Sequence, residues 1–189
     1  MMTEISLHVL DIVENSTKAG AKLVRIGVAV DHTADSLTVT VDDDGAGMDE
    51  AQVARVTDPF YTSRTTRKVG LGVPFFKYAA EITGGTFCIT SQKGVGTKVE
   101  ARFVLSSIDC IPLGDIGATI FTLVICHQDT DFVYTYGCRG AEGMKAFTLD
   151  TRELREILGG VPFDEPDVSA YIKDYLRENK EEVDGQGPI

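Results

Sequence analysis

Four short segments follow one another in the first hundred residues of this chain, and each contains glycines or an acidic side chain next to an apolar run. They are residues 11–15 (DIVEN), 43–47 (DDGAG), 69–72 (VGLG) and 94–97 (GVGT). Glycine-rich turns are common in proteins, so each segment alone is a weak signal. Their order and spacing, taken together, carry most of what the sequence indicates.

The first segment lies in a predicted helix over residues 4–18, with Thr3 as its N-cap and Gly20 at its end. The apolar side of this helix is expected to face a core and consists of Ile5, Val9, Ile12 and Val13. The other side is predicted to carry a polar stripe made of His8, Asp11, Asn15 and Lys18. Without further context, such a stripe fits a solvated helix face equally well.

Alternating apolar residues predict strands at about 24–30 and 37–41, and the second strand delivers Asp42, Asp43 and Asp44 to its C-terminal end. A short helix is predicted over 49–56 and a longer one from Pro74, in its first turn, to Gly84-Gly85. Strands at about 86–91 and 97–105 are predicted to form a hairpin around the fourth segment.

Beyond residue 105 the pattern changes, and residues 106–189 are predicted to form a small C-terminal α+β extension. Residues 116–126 and 132–138 are interpreted as strands, with 144–149 as a third. Asp150 and Glu153 form a capping-box pattern for a short helix. A last helix over 166–180 is predicted to have one apolar face, made of Val168, Tyr171, Ile172, Tyr175 and Leu176.

Composition excludes some classes of function. The net charge of −11 and a pI near 4.6 argue against a nucleic-acid-binding surface, which needs a basic face. No apolar run approaches the ~20 residues that span a bilayer, and the N-terminus lacks a signal-peptide pattern, so we expect a cytoplasmic protein without a membrane partner. The four cysteines show no CxxC spacing and are predicted to be reduced thiols in the core.

The four segments resemble the four boxes of the GHKL ATPases, which include gyrase, heat-shock chaperone, histidine kinase and MutL ATP-binding domains. The resemblance covers roughly residues 1–105. Residues 58–64 (DPFYTSR) are closest to the E-P-F-[FY]-T-T-K phrase of histidine kinases, and residues 70–85 continue their pattern. The resemblance implies an α+β fold of the Bergerat type: a two-layer α/β sandwich with a mixed, largely antiparallel sheet, helices on one face, and ATP with Mg²⁺ between helices and a lid.

The resemblance also implies roles for individual residues. The Asp43 carboxylate would accept from the exocyclic amine of adenine, a charge-assisted hydrogen bond that guanine cannot make. Gly45 and Gly47 would let the backbone pass close to the base, and Thr97 would support the contact. Asn15 would ligate Mg²⁺ through its side-chain oxygen.

The resemblance implies a water-activating base four residues before that asparagine, and this spacing puts both residues on the same helix face. The chain has Asp11 there, where some members of the family have glutamate, so the side chain is one methylene shorter. Asp11 is therefore the predicted catalytic base rather than the neighbouring Glu14, which points about 60° away. The competing interpretation is a chain that binds ATP and hydrolyses it poorly.

Amides of Gly70, Leu71 and Gly72, at the start of a helix, are predicted to bind phosphate. Arg64 is predicted to reach phosphate oxygens from a short lid, with Arg67 or Lys68 as alternatives; otherwise these are solvated charges. His8 is predicted to border the mouth of the nucleotide site. His32 and His127 are interpreted as structural.

Two classes of function follow. The first is an ATP- and Mg²⁺-dependent kinase or ATPase module that acts in trans on a phosphoacceptor or other protein partner. The second is a nucleotide-sensing interaction module with little turnover, in which residues 106–189 dock a partner or form a homodimer. Those residues could equally be a cover for an open sheet edge. A third interpretation, an unrelated α/β domain with incidental glycines, predicts no affinity for adenine nucleotides.

Overall fold

The computed structural model describes residues 2–58, 72–141 and 143–185. The described strands are β1 (Leu23–Asp31), β2 (Ser36–Asp43), β3 (Thr86–Gln92), β4 (Gly96–Val104), β5 (Asp131–Gly140) and β6 (Gly143–Asp150). The described helices are α1 (Ile5–Lys18), α2 (Glu50–Val56), α3 (Gly72–Ile82), α4 (Ile116–Cys126), α5 (Thr151–Leu158) and α6 (Pro166–Asp184).

The strands form one mixed sheet in the order β3-β4-β2-β1-β5-β6. The pair β1 and β5 is parallel, and the other neighbouring pairs are antiparallel. The largely antiparallel sheet predicted from the sequence is therefore confirmed. Because β5 pairs with β1, the chain beyond residue 105 continues the sheet of the first part.

Strand alternation places the core on one face of this sheet. Val24, Ile26, Val28 and Val30 of β1 are each at most 2% exposed, while Arg25 and Ala29 between them are exposed. The buried residues of α1, α3, α4 and α6 belong to the same hydrophobic cluster as those of the strands. This arrangement is the predicted two-layer sandwich with helices on one face.

The N-cap of α1 differs from the prediction. Glu4, not Thr3, is the N-cap, and its side chain makes no capping hydrogen bond. The N–H groups of Ile5 and Ser6 instead donate to the carbonyls of Pro112 and Leu113, each at 2.9 Å. The free amides at this helix end are thus satisfied by a segment about a hundred residues later, which local sequence does not reveal.

The strand predicted over residues 116–126 is wrong, because this segment forms α4. Asp115 caps the helix by accepting from the Ala118 N–H at 2.8 Å. The buried positions follow a helical period along the run and are Ile116, Thr119, Ile120, Leu123 and Val124. Nearly every residue of the run is apolar, which hid this period behind a pattern that also fits a buried strand.

The remaining C-terminal elements agree with the sequence in outline. Asp150 caps α5 by accepting from the Arg152 N–H at 2.9 Å, and α6 extends past the predicted end at residue 180 to Asp184. Tyr171, expected on the apolar face of α6, is 57% exposed, because the buried face follows Val168, Ile172 and Leu176.

All four thiols are unpaired, but only Cys138 is buried, whereas Cys88 and Cys126 are exposed and Cys110 is intermediate. The prediction of core thiols is therefore wrong for Cys88 and Cys126. In the described part of the chain, no helix combines the length and hydrophobicity that crossing a bilayer requires.

Candidate functional site

A cavity of about 270 Å³ lies between α1, the C-terminal end of β2 and the β3–β4 hairpin. Its walls are mainly apolar, and among the described residues four polar side chains reach it: those of Asn15, Ser16, Asp43 and Thr97. The other lining residues are Ile12, Ala19, Val41, Gly47, Met48, Val56, Val73, Ile89 and Val99. An apolar cleft with a few converging polar groups is the usual form of a small-molecule site.

Asp43 is the central polar group of this cavity and is only 8% exposed. One carboxylate oxygen, Oδ2, accepts from the Ser16 hydroxyl at 2.6 Å, and Oδ1 accepts from the Gly45 N–H at 2.9 Å. A carboxylate has about four acceptor positions, so both oxygens retain capacity for a ligand. The two bonds fix the orientation of the carboxylate and offset the cost of burying it.

Ser16 is not among the predicted site residues, although its hydroxyl donates to the Asp43 carboxylate. It follows Asn15 directly and is 3% exposed. Its position four residues after Ile12 and three after Val13 places it on the buried face of α1. The sequence contains a signal for this role: a serine at a core-facing helix position has a buried hydroxyl, and a buried hydroxyl needs a hydrogen-bond partner.

The two glycines after Asp43 serve close packing of the backbone. A Cβ on Gly45 would lie 3.1 Å from the Cβ of Ala19. Gly47 has φ of +61°, and a Cβ there would lie 2.0 Å from the carbonyl oxygen of Gln92. The segment that follows β2 therefore fits tightly between α1 and the β3–β4 hairpin, and Gly47 itself lines the cavity.

Thr97 is the direct antiparallel partner of Asp43 in the β2–β4 pair. Its hydroxyl lies 2.8 Å from that of Ser91 rather than on the Asp43 carboxylate. Ser91 also accepts from the Met48 N–H at 2.7 Å and donates to the Gly96 carbonyl at 3.0 Å. Ser91 was not predicted, and it ties the wall after β2 to the β3–β4 hairpin.

Asn15 and Asp11 lie one turn apart on the same side of α1. Asn15 is exposed and lines the cavity, and Asp11 is half-buried. A Cβ on Gly72 would lie 1.5 Å from Oδ2 of Asp11, so the absence of a side chain at Gly72 makes room for this carboxylate. The structure thus brings Asp11 to the N-terminus of α3, where the helix dipole favours negative charge.

Glu14 faces away from the cavity, towards the C-terminal part of the chain. Its Oε1 lies 2.6 Å from Nε2 of His127 and its Oε2 lies 3.5 Å from Nζ of Lys18. The hydrogen bond with His127 is the main cause that lowers the pKa of Glu14 below its usual value. Glu14 is engaged in this contact, and the assignment of Asp11 rather than Glu14 as the base stays a prediction.

His8 does not border the site, contrary to the prediction. Its side chain is fully buried and stacks on Phe76 with ring centroids 5.3 Å apart. Neither ring nitrogen has a hydrogen-bond partner among the described residues, and burial lowers the pKa of His8 to about 4. The reason is its helical position, since His8 lies three residues after Ile5 and four before Ile12 on the buried side of α1.

Arg64, Gly70 and Leu71, together with Arg67 and Lys68, lie outside the described residues. Of the second glycine segment, Gly72 is described, and it contacts Asp11 as given above. Among the residues that the structure describes, no three His, Cys, Asp or Glu side chains are grouped to hold a metal ion. A cation here would depend on the side-chain oxygen of Asn15 and on oxygens of the ligand.

Residues 3–107 match the family model described as histidine kinase-, DNA gyrase B- and HSP90-like ATPase. The sensor protein kinase FleS of Pseudomonas aeruginosa is 45% identical over 58 residues, which cover 31% of this chain and 14% of FleS. The heme sensor protein HssS of Staphylococcus saprophyticus is 29% identical over 94 residues, 49% of this chain and 20% of HssS. The chain therefore spans a fifth or less of the length of these relatives.

Two solved structures share the fold. The Aquifex aeolicus MutL ATPase domain complexed with ADP superposes with a TM-score of 0.52 and 12% identity, with full coverage of both chains. The N-terminal domain of a DNA repair protein gives a TM-score of 0.56 and 15% identity, covering 98% of this chain and 58% of that one. The likeness to MutL extends beyond residue 107, so the C-terminal elements fall within the shared architecture.

Proposed function

Because this chain belongs to the family of histidine kinase-, DNA gyrase B- and HSP90-like ATPases, we propose that the cavity beside Asp43 binds the adenine of ATP and that the chain acts as a kinase or ATPase module. The observation that carries the proposal is the buried Asp43 carboxylate, which Ser16 and Gly45 hold at the wall of an apolar cavity.

The chemistry of the cavity suits adenine. Val41, Val73, Ile89 and Val99 offer apolar surface to a flat base, while the carboxylate accepts from an exocyclic amine. Guanine would place an oxygen opposite the carboxylate and be repelled. The volume of about 270 Å³ lies near the lower end of the range for ligand pockets, about 300 Å³, and is sufficient for a single base.

Asn15 would hold Mg²⁺ at the mouth of this cavity. Its exposed side chain stands on the last turns of α1, beside Ser16. Mg²⁺ takes oxygen ligands, keeps several waters and shares phosphate oxygens, so one protein oxygen is an ordinary contribution. The bound ion would neutralise phosphate charge in a chain that is itself strongly acidic.

Asp11 is the proposed base that accepts a proton from a water or acceptor group. It lies one turn from Asn15 and against the start of α3, which is where the second glycine segment joins the helix. Gly70, Leu71 and Gly72 would bind the phosphates through their amides, and Arg64 would add a positive charge. These roles come from the family resemblance.

The protein acceptor of the phosphoryl group would be supplied in trans. The relatives named above include a sensor protein kinase, so the proposed reaction is transfer of the terminal phosphoryl group of ATP to a partner protein. A second candidate is a nucleotide-sensing module with little turnover. It is favoured by Asp11, whose carboxylate is one methylene shorter than glutamate and is confined against Gly72.

Calorimetric titration with ATP and Mg²⁺ tests the proposal. Asp43→Asn should weaken ATP binding by roughly 10- to 100-fold, because a charge-assisted hydrogen bond contributes about 1.5–3 kcal/mol. Asp42→Asn is the matched control: Asp42 is the preceding residue, half-exposed, and faces Arg25 at 3.8 Å. Equal affinities of Asp43→Asn and the wild type would refute the adenine contact.

Turnover on the same samples separates the two candidates. Hydrolysis or transfer that is lost in Asn15→Ala and in Asp11→Asn supports the kinase or ATPase. ATP binding with turnover no faster than background supports the sensing module.

A further inference from the structure

The turn between α4 and β5 contacts the last part of α1 through one side-chain pair. His127 follows α4, and its Nε2 lies 2.6 Å from Oε1 of Glu14. The two side chains are 24% and 31% exposed, so solvent screens the pair only partly. Glu14 precedes Asn15, the proposed metal ligand, by one residue.

The backbone of His127 is held at the end of α4 by two main-chain hydrogen bonds. Its N–H donates to the carbonyl of Leu123 at 3.0 Å and its carbonyl accepts from the Thr130 N–H at 3.1 Å. The second neighbour of Glu14, Lys18, is 3.5 Å away with 69% of its side chain exposed. The short bond to a fixed partner therefore dominates the placement of Glu14.

The same turn holds the chain just after α1. The Thr130 hydroxyl donates to the carbonyl of Ala21 at 3.2 Å, and the Asp131 N–H donates to the carbonyl of Lys22 at 2.8 Å. Residues 127–131 are therefore hydrogen-bonded to both ends of residues 14–22, at Glu14 and at Ala21 and Lys22.

Residues 14–22 also form one wall of the cavity. Ser16 donates to Asp43 at 2.6 Å, and Asn15 and Ala19 line the cavity. The carbonyl of Ala19 accepts from the Ala46 N–H at 3.0 Å. One short stretch is therefore bonded to the site on one side and to the C-terminal part of the chain on the other.

We propose that His127 is a positioning residue for the nucleotide site: through Glu14 it holds the last turn of α1, so that Asn15 and Ser16 stand correctly at the cavity. The inference rests on the proposed function and adds a regulatory connection to it. Because binding linkage is reciprocal, a nucleotide that orders this wall also stabilises the α4–β5 turn, and a change in that turn alters nucleotide affinity.

Affinity measurements on side-chain variants test this role. His127→Ala should lower the affinity for Mg²⁺-ATP by about five-fold, at the low end of typical coupling between sites. His127→Gln keeps an N–H donor at similar reach and should restore affinity to within about two-fold of the wild type. His32→Ala is the matched control, because His32 is exposed in the β1–β2 turn at the other end of the sheet.

A double-mutant cycle tests whether the pair acts as a unit. If it does, Glu14→Ala combined with His127→Ala loses no more affinity than the weaker-binding single variant. Losses that multiply would overturn the proposal. So would a His127→Ala protein that binds Mg²⁺-ATP like the wild type, even if its melting temperature falls, since that result describes a purely structural contact.

Hydrogen exchange gives the reciprocal measurement. Mg²⁺-ADP should slow exchange of the amides in residues 127–131 in the wild type, and less so in His127→Ala. Unchanged exchange in the nucleotide-bound wild type contradicts the coupling. Failure of the wild type to bind either nucleotide would instead refute the proposed function, and this inference with it, so the two failures are distinguishable.

Discussion

The parts of the chain before and after residue 107 share one sheet and one core, but their buried polar groups have different surroundings. Before it, the Asp43 carboxylate is bonded on both oxygens and lines a cavity. After it, the Tyr136 hydroxyl donates to Asp184 at 2.6 Å, while the hydroxyl of Tyr134, 1% exposed, has no partner in the part of the chain that the structure describes. The Asp43 carboxylate is oriented and still open to the cavity, which is the basis of its proposed role in ligand binding, whereas the two tyrosine side chains pack in the second part.

The second part of the chain affects the site indirectly, through its contacts with α1 and β1. The described residues that line the cavity all fall between Ile12 and Val99. The later residues cap α1 through Pro112 and Leu113, pair β5 with β1 and pack α4 against α1. We therefore predict that substitutions after residue 107 lower the stability of the fold, and that they change nucleotide binding only where they displace α1.

The largest expected effect is a loss of stability when a cavity is created in the core beside α4. Leu123 is 1% exposed, and Leu123→Ala should lower the free energy of unfolding by about 3 kcal/mol, because a buried leucine truncated to alanine costs about 2–5 kcal/mol. Since α4 packs against α1 and β5, denaturation followed by circular dichroism and by hydrogen exchange at β2 should shift together.

Ile108→Ala provides the comparison for that experiment, because Ile108 is 99% exposed and should leave stability unchanged. Two separate transitions, of which only one moves in Leu123→Ala, would show that the two parts unfold independently.

The next effect concerns His8, a buried polar side chain of the first part whose ring nitrogens have no hydrogen-bond partner within residues 2–58, 72–141 and 143–185. Its pKa is lowered to about 4 by burial, so the unfolded chain takes up a proton before the folded one does. The contribution to stability is constant above about pH 6.5, falls as the pH decreases, and is fully lost below about pH 4. From pH 7 to pH 5 the loss should be about 2 kcal/mol.

His8→Leu isolates this contribution from that of the many carboxylates. Urea denaturation of both proteins across pH 5–7 should show a steeper loss of stability in the wild type. Parallel pH profiles would mean that His8 is not buried as a neutral ring.

Sequence patterns predicted the elements whose conformation depends on residues close to one another in the chain. The alternation in β1 and β2 placed the strands correctly, and therefore placed Asp43 at the end of β2. Gly45 and Gly47 were predicted to let the backbone pass close to a base, which stays a prediction; in the structure they let it pack closely against Ala19 and Gln92. The helix α4 was misread because a nearly continuous apolar run contains both a strand-like and a helix-like pattern.

The features that the sequence did not reveal depend on contacts between distant parts of the chain. Glu4 needs no capping side chain because Pro112 supplies an acceptor to α1. The helical spacing of His8 puts it on the buried side of α1, but its stacking partner, Phe76 of α3, is set by the packing of two helices. The Glu14–His127 bond joins residues 113 positions apart, and no spacing rule predicts such a pair.

The smallest expected effect concerns the two hydrogen bonds that orient Asp43. Removing one of them tests whether this orientation is needed for the proposed binding of the base. Ser16→Ala removes the donor at 2.6 Å with almost no change in volume, and the Gly45 N–H remains. Affinity for ATP should fall by roughly five-fold, or about 1 kcal/mol, because Ser16 acts on the base only through the carboxylate that it orients. Ser36→Ala is a suitable reference, since Ser36 is a buried serine at the opposite end of β2. If Ser16→Ala bound ATP as tightly as Ser36→Ala, the carboxylate would be oriented by the turn alone, and the buried side of α1 would have no part in recognising the base.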